Sequence, residues 1–376
     1  MKRSVDRILT THTGSLPRPL ELAEMLLKKD EGEETDPAAL RSLVEAAVAE
    51  TVRKQVEAGV DVVSDGEMGK IGYSTYVKDR LTGFEGEATV NIRGDWADFP
   101  NATVPLAARV KRPACNGPVA WKDPDAVQGD ISTLNAALAE TPAEDAFMTA
   151  ASPGVIAHFL GNAYYASREE YLATLADVMK QEFEAIAGAG FVLQLDCPDL
   201  AMSRHMRFTD LTTEEFLRVI EGNVEALNHA IGNVPADQVR LHLCWGNYEG
   251  PHHRDVPLRD ILPVVLKAKV GAISFEGANP RHAHEWAVFK GVPLPDDMVV
   301  IPGVIDSTTN FIEHPELVAQ RICAYAEVVG KERVIAGSDC GFGTFASTAP
   351  NVQADITWAK LASLAEGARI ASEQLW

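Results

Sequence analysis

Short β-branched runs alternate with longer amphipathic stretches through most of this chain. Residues 9–13 and 60–64 read as strands. Between them, residues 37–58 place Leu40, Leu43, Val44, Ala47, Val48 and Val52 at helical spacing, with Gly59 as the stop. Ser167 with Glu170 forms a capping box that opens a helix through Leu172, Leu175, Met179, Phe183 and Ile186, and residues 191–195 follow as a strand. The same beat predicts helices over 212–231, 259–268, 280–289, 315–329 and 357–367. It predicts strands over 239–243, 271–275, 298–302 and 333–336.

Alternating strands and helices imply right-handed crossovers and a parallel sheet. The expected fold is therefore α/β, a (β/α)8 TIM barrel forming one domain over residues 1–376. Eight units share 376 residues, well above the ~31 per unit of a 250-residue barrel. The surplus is expected in an insertion over the barrel at residues 84–145, where 89–96 alternates like a strand and 110–119 is broken by Pro113 and Gly117. Polar residues repeatedly follow the apolar strands: His12, Asp65 with Glu67, Asp196, His242 with Cys244, Glu276, Asp306, and Asp339 with Cys340. Active sites of such barrels lie on the face where strands end.

Composition narrows the chemistry. With 34 Lys and Arg against 54 Asp and Glu, the net charge is −20, which argues against nucleic acid or an anionic membrane as partner. No apolar run approaches a membrane span, and the first residues lack a signal-peptide core, so a cytoplasmic location is expected. Five scattered cysteines suit a reducing compartment, where they are buried, catalytic or metal-bound more often than paired.

His242 and Cys244 are two apart on one strand, so both face the same side, while Leu243 faces the helices. Cys340 ends a later strand and Glu276 one between them. A buried cysteine taken singly is usually a small hydrophobe, and Cys115 and Cys323 keep that reading. An imidazole, two thiols and a carboxylate at neighbouring strand ends form instead a set suited to tetrahedral zinc, the expected cofactor. Zinc bound by two thiolates favours activation of a substrate thiol over activation of water, with Glu276 the ligand most easily displaced.

The strings HLCWGN (242–247), SFEGANP (274–280) and GSDCGF (337–342) resemble the zinc-binding strand ends of cobalamin-independent methionine synthases. TGSLP (13–17) resembles that family's loop for the homocysteine carboxylate, which implies substrate contacts at Gly14 and Ser15. DGE (65–67) and QLDCP (194–198) resemble the loops that bind its ammonium group, through Glu67 and Asp196. Arg18, just after the first loop, is a candidate for a carboxylate or sulfonate. The chain departs from the long forms of the family, which carry a second barrel. Where they have a proton-donating histidine it has Thr308, which leaves Asp306 or a nearby histidine as the acid. The stretch 245–257, with His252, His253 and Arg254, is also unlike them and closer to the short branch that includes epoxyalkane:coenzyme M transferase.

The resemblance implies a zinc-dependent transfer of a methyl or alkyl group to a small thiol, homocysteine by default, from a donor such as 5-methyltetrahydrofolate. Opening of an epoxide by a thiolate is an alternative. A zinc-free carboxyl-lyase like uroporphyrinogen decarboxylase is another, and predicts an arginine-rich pocket instead. A non-catalytic zinc module would need a closed site. The sequence leaves the oligomeric state open.

Overall fold

Inward and outward positions alternate along every strand of a barrel, and here the inward ones change character from one end to the other. Leu9, Ala272, Val299, Ile301 and Ile335 form one apolar cluster, and Val62, Phe147 and Val192 a second, both touched by Met1. One layer up, Arg240 donates to Gln194, Thr11 and the carbonyl of His12. Its guanidinium lies 3.6 Å from the centre of the Phe147 ring. At the far end the inward positions are Asp196, His242 and Cys244. The outward residues, such as Leu195, Leu241, Leu243 and Phe275, belong to the large core shared with the helices. The strands thus carry an apolar base and a polar rim.

The computed structural model describes residues 1–87, 94–102 and 112–376. Its strands are β1 (Leu9–Thr10), β2 (Val62–Val63), β3 (Asp145–Ala151), β4 (Val192–Asp196), β5 (Val239–Leu243), β6 (Ala272–Phe275), β7 (Val299–Ile305) and β8 (Ile335–Ser338). They pair in parallel in the order β1-β8-β7-β6-β5-β4-β3-β2. The gap between β1 and β2 is bridged by Asp61 N donating to Thr10 O and Thr11 Oγ1 to Val62 O, both near 3 Å. The result is the expected (β/α)8 barrel.

Around it run α1 (Leu20–Glu31), α2 (Pro37–Glu57), α3 (Val77–Arg80), α4 (Ala126–Glu140), α5 (Pro153–Phe159), α6 (Arg168–Gly188), α7 (Ser203–Met206), α8 (Thr213–Ala230), α9 (Leu258–Val265), α10 (Pro315–Val329) and α11 (Ala354–Leu375). Thr212 and Glu215 cap α8 reciprocally. Ser167 caps α6, but Glu170 reaches back to Ala166 N instead.

Four sequence expectations change. β3 was not foreseen, because its run Asp-Ala-Phe-Met-Thr-Ala-Ala has few of the β-branched residues that mark strands. The segment read as an insertion ends early: α4 packs between α2 and α6 as the barrel helix before β3. Of the remainder, residues 88–93 and 103–111 lie outside the described residues, which takes in most of the 89–96 alternation and the start of 110–119. Residues 280–289 form turns and then a 3₁₀ helix, Glu285–Lys290, since the Asn279 side chain accepts from the amides of Arg281 and His282. Gly367 does not stop the last helix. A Cβ there would stand 2.9 Å from Pro315 O, so glycine lets α11 lie close against α10.

Candidate active site

His242, inside β5, and Cys244, one residue past its end, line one cavity, as their two-residue spacing predicts. Cys340 follows β8 on the same rim. Among the described residues, one donor atom from each of these three lies within 4.8 Å of the others. The two Sγ atoms are 3.1 Å apart, far beyond a disulfide bond of about 2.05 Å. Burial, reinforced by the charge of Arg240, depresses the His242 pKa to about 3, so its ring is neutral and its lone pair available. Its Nδ1 meets Ser274 Oγ at 3.3 Å, the kind of contact that orients a ligating imidazole. Burial and the neighbouring Cys244 hold the Cys340 thiol well above the ordinary range.

Glu276 stands just outside this trio. Cys340 Sγ is 3.7 Å from its Oε1. That oxygen accepts from Trp245 N at 2.7 Å, and Oε2 from Asn279 Nδ2 at 2.8 Å. Asp339 fixes the loop behind it by accepting from the amides of Gly277, Ala278 and Asn279.

The two carboxylates approach the same space from the other side. Glu67, in left-handed backbone conformation at φ 58°, accepts from Thr149 Oγ1 at 3.0 Å through Oε1. Its Oε2 is buried with no hydrogen-bond partner among the described residues. Burial, only partly offset by Lys70 and Arg18, raises its pKa. Burial and the proximity of Glu67 raise that of Asp196 well above the usual carboxylate range. A cavity of about 50 Å³ touches Ser15, Glu67, Asp196, His242, Cys244 and Cys340 together.

Gly14, at φ +138°, is required by this packing: a Cβ would stand 2.6 Å from Thr149 Cγ2 and 2.8 Å from Glu67 Oε1. Arg18 is already engaged, donating from Nη1 to Gly343 O and from Nη2 to Glu67 O. Its Nε is buried without a hydrogen-bond partner among the described residues.

Residues 155–360 match the profile of the family described as "Cobalamin-independent synthase, Catalytic domain". That match spans more than half of the chain. The chain belongs to the cobalamin-independent methionine synthase family. A methionine synthase of Saccharolobus solfataricus is 26% identical over 367 residues, covering 97% of this chain and 95% of that protein. One from Thermococcus kodakarensis is also 26% identical, covering 97% and 94%. The B12-independent methionine synthase of Shewanella sp. W3-18-1, solved with selenomethionine, superposes with a TM-score of 0.74 at 23% identity, over 98% of this chain and 99% of that one. At that identity the superposition speaks to the barrel alone.

The family's sequence marks do not foretell every position at this rim. Both Asp306 oxygens accept from Thr308 and Thr309, each through its amide and its hydroxyl. Asp306 and Thr308 therefore build the turn after β7 together, and both also border an open cleft beside Cys340. His12 is neutral, with a pKa lowered to about 3 by burial, and bonds Gln55 and Gly14 N. Asn247 was overlooked although it ends the HLCWGN string. Its Nδ2 donates to Gly341 O and Thr344 Oγ1, and its Oδ1 accepts from Ser307 Oγ. Ser307 Oγ in turn accepts from Cys340 N at 3.1 Å. One amide side chain thereby ties the loops bearing Cys244 and Cys340.

The stretch 245–257 closes over this rim. Tyr248 OH donates to Asp95 Oδ1, and the amide of His252 to Asp95 Oδ2. His253 and Arg254 pair with Asp98. Asp255 accepts from His252 Nδ1 and His282 Nε2. No described helix is long and apolar enough to cross a membrane.

Proposed function

We propose that the protein transfers a methyl group to the thiol of homocysteine in a zinc-dependent reaction, with His242, Cys244 and Cys340 as protein ligands and Glu276 as the displaceable fourth. The observation that carries this reading is the single cavity that touches the three donors at one end and Glu67 with Asp196 at the other. The donor set fits zinc: a neutral imidazole and two thiols that converge without bonding each other. His242, Cys244 and Cys340 would hold the metal, and zinc bound there would favour the thiolate form of a substrate thiol at neutral pH.

The chain's own residues do the rest. The partnerless Oε2 of Glu67 and the carboxylate of Asp196, two acids whose ionisation burial opposes, receive the ammonium group of the amino acid. Gly14 leaves room for Glu67, and Ser15 faces the same cavity beside the place for the carboxylate. The donor, 5-methyltetrahydrofolate or another methylated compound, approaches from the open side of the site, and Asp306 and Thr308 form a turn that borders one cleft with Cys340. The reducing cytoplasm suits a chain whose five cysteines are all unpaired.

The test is to incubate zinc-loaded enzyme with homocysteine and 5-methyltetrahydrofolate and to follow methionine by mass spectrometry. Methionine formed only with zinc bound supports the reading. An enzyme that alkylates homocysteine from no methyl donor, iodomethane included, removes it.

A further inference from the structure

Glu67 and Asp196 are held from behind in the same manner. Lys70 Nζ donates to Thr149 Oγ1 at 2.9 Å and to the Thr149 carbonyl, and Thr149 Oγ1 donates in turn to Glu67 Oε1 at 3.0 Å. Arg240 Nε donates to Gln194 Oε1 at 2.8 Å, and Gln194 Nε2 donates to Asp196 Oδ1 at 2.8 Å. Each relay runs from a buried cation through one neutral side chain to one acid. Each cation also lies over a ring, Lys70 at 4.5 Å from the centre of Tyr76 and Arg240 at 3.6 Å from that of Phe147.

Among the described residues, Lys70 and Arg240 act on these acids across space and hydrogen-bond to neither. That spacing has a chemical consequence. A direct buried ion pair would occupy carboxylate oxygens, and its cation would have to be displaced before an ammonium group could bind. With a neutral group interposed, the positive charge still favours an ionised acid in a low-dielectric interior, while an oxygen stays open. At Glu67 the open oxygen is Oε2. At Asp196 the relay ends on Oδ1, and the carboxylate borders the cavity. Direction is fixed as well: Arg240 claims Gln194 Oε1, so the amide can turn only its NH₂ toward Asp196. Lys70, Thr149, Gln194 and Arg240 stand behind the cavity wall and do not border it.

We propose that Lys70 and Arg240 are positioning residues that set a preference for an amino-acid thiol over a plain one, acting through Thr149 on Glu67 and through Gln194 on Asp196. The inference rests on the reading that these two acids receive the substrate's ammonium group, and it assigns what keeps them ready to do so.

The experiment is calorimetric titration of the zinc-loaded protein with homocysteine and with 4-mercaptobutyrate, the same thiol without its amino group. The wild type is expected to bind homocysteine about tenfold more tightly, as for one charge-assisted hydrogen bond. Thr149→Val keeps the methyl beside Gly14 and loses the hydroxyl, Gln194→Met loses the amide, and Lys70→Met loses the charge. Each should cut the preference to about threefold or less with zinc content unchanged, and Thr149→Ser should retain it. A preference that survives in Thr149→Val overturns the proposal. So does a fall that is matched by loss of zinc, which would make the relay merely structural. Where Gln194→Met or Lys70→Met does not fold, Thr149→Val and Thr149→Ser decide. Glu67→Gln tells the two failures apart: if it too keeps the preference, the ammonium reading falls, and if it alone abolishes the preference, only the relays fall.

Discussion

The sulfurs of Cys244 and Cys340 face each other at 3.1 Å although 96 residues of chain separate them. Purified protein should carry about one zinc per chain. Cys340→Ser or His242→Ala should lose most of it by metal analysis, and full occupancy in both would refute the assignment. With metal stripped, mild oxidation should join the two sulfurs, since they need to close by only about 1 Å to reach bonding distance. A mass lower by about 2 Da, prevented by added zinc, is the readout.

Glu67 offers a buried oxygen with no partner among the described residues, so Glu67→Gln should weaken homocysteine about tenfold, the loss of one charged hydrogen bond. A thiol without an amino group should be affected much less. Equal weakening of both, measured as KM or by calorimetry, would take the ammonium group away from Glu67.

Gly14→Ala tests the same corner through the backbone. The new methyl meets Thr149 and Glu67 at a positive φ, so it should cost about 1–3 kcal/mol of stability. It should also raise the KM for homocysteine. An unchanged melting temperature would mean that the loop relaxes without strain.

Stability should fall as the medium turns alkaline. Burial opposes a charge on His252 and on His282, yet hydrogen bonds to Asp255 lift them to about 9 and about 10, from an ordinary 6.5. Both pKa values are raised on folding, so their contribution is complete below pH 6.5 and disappears as pH climbs through 9 and 10. His205, also against Asp255, is instead lowered by burial. The melting temperature of the wild type should drop across that window. Asp255→Asn should be less stable at neutral pH and show a flatter profile; an identical slope in both would detach these histidines from the effect.

Much of this architecture could be read from the residues because strand ends announce themselves. Residues 239–243 and 315–329 fold with the boundaries that periodicity predicts. His242, Cys244 and Cys340 meet because alternation fixes which way a strand residue points. What stayed hidden depends on contacts far apart in sequence. β3 lacks the usual strand residues, and Gly367 looked like a stop when it serves close packing against Val318. The committed state of Arg18 is a property of its neighbours, which no local pattern encodes.

The bonds between Asp95, Asp98 and the stretch 248–254 come in two layers. The pairs of Asp98 with His253 and Arg254 lie in solvent, whereas Asp95 is buried. Dissolved salt reaches the outer layer and leaves the inner one intact. Ionic strength is therefore expected to loosen the contacts of this stretch from the outside inward, the buried Asp95 layer last.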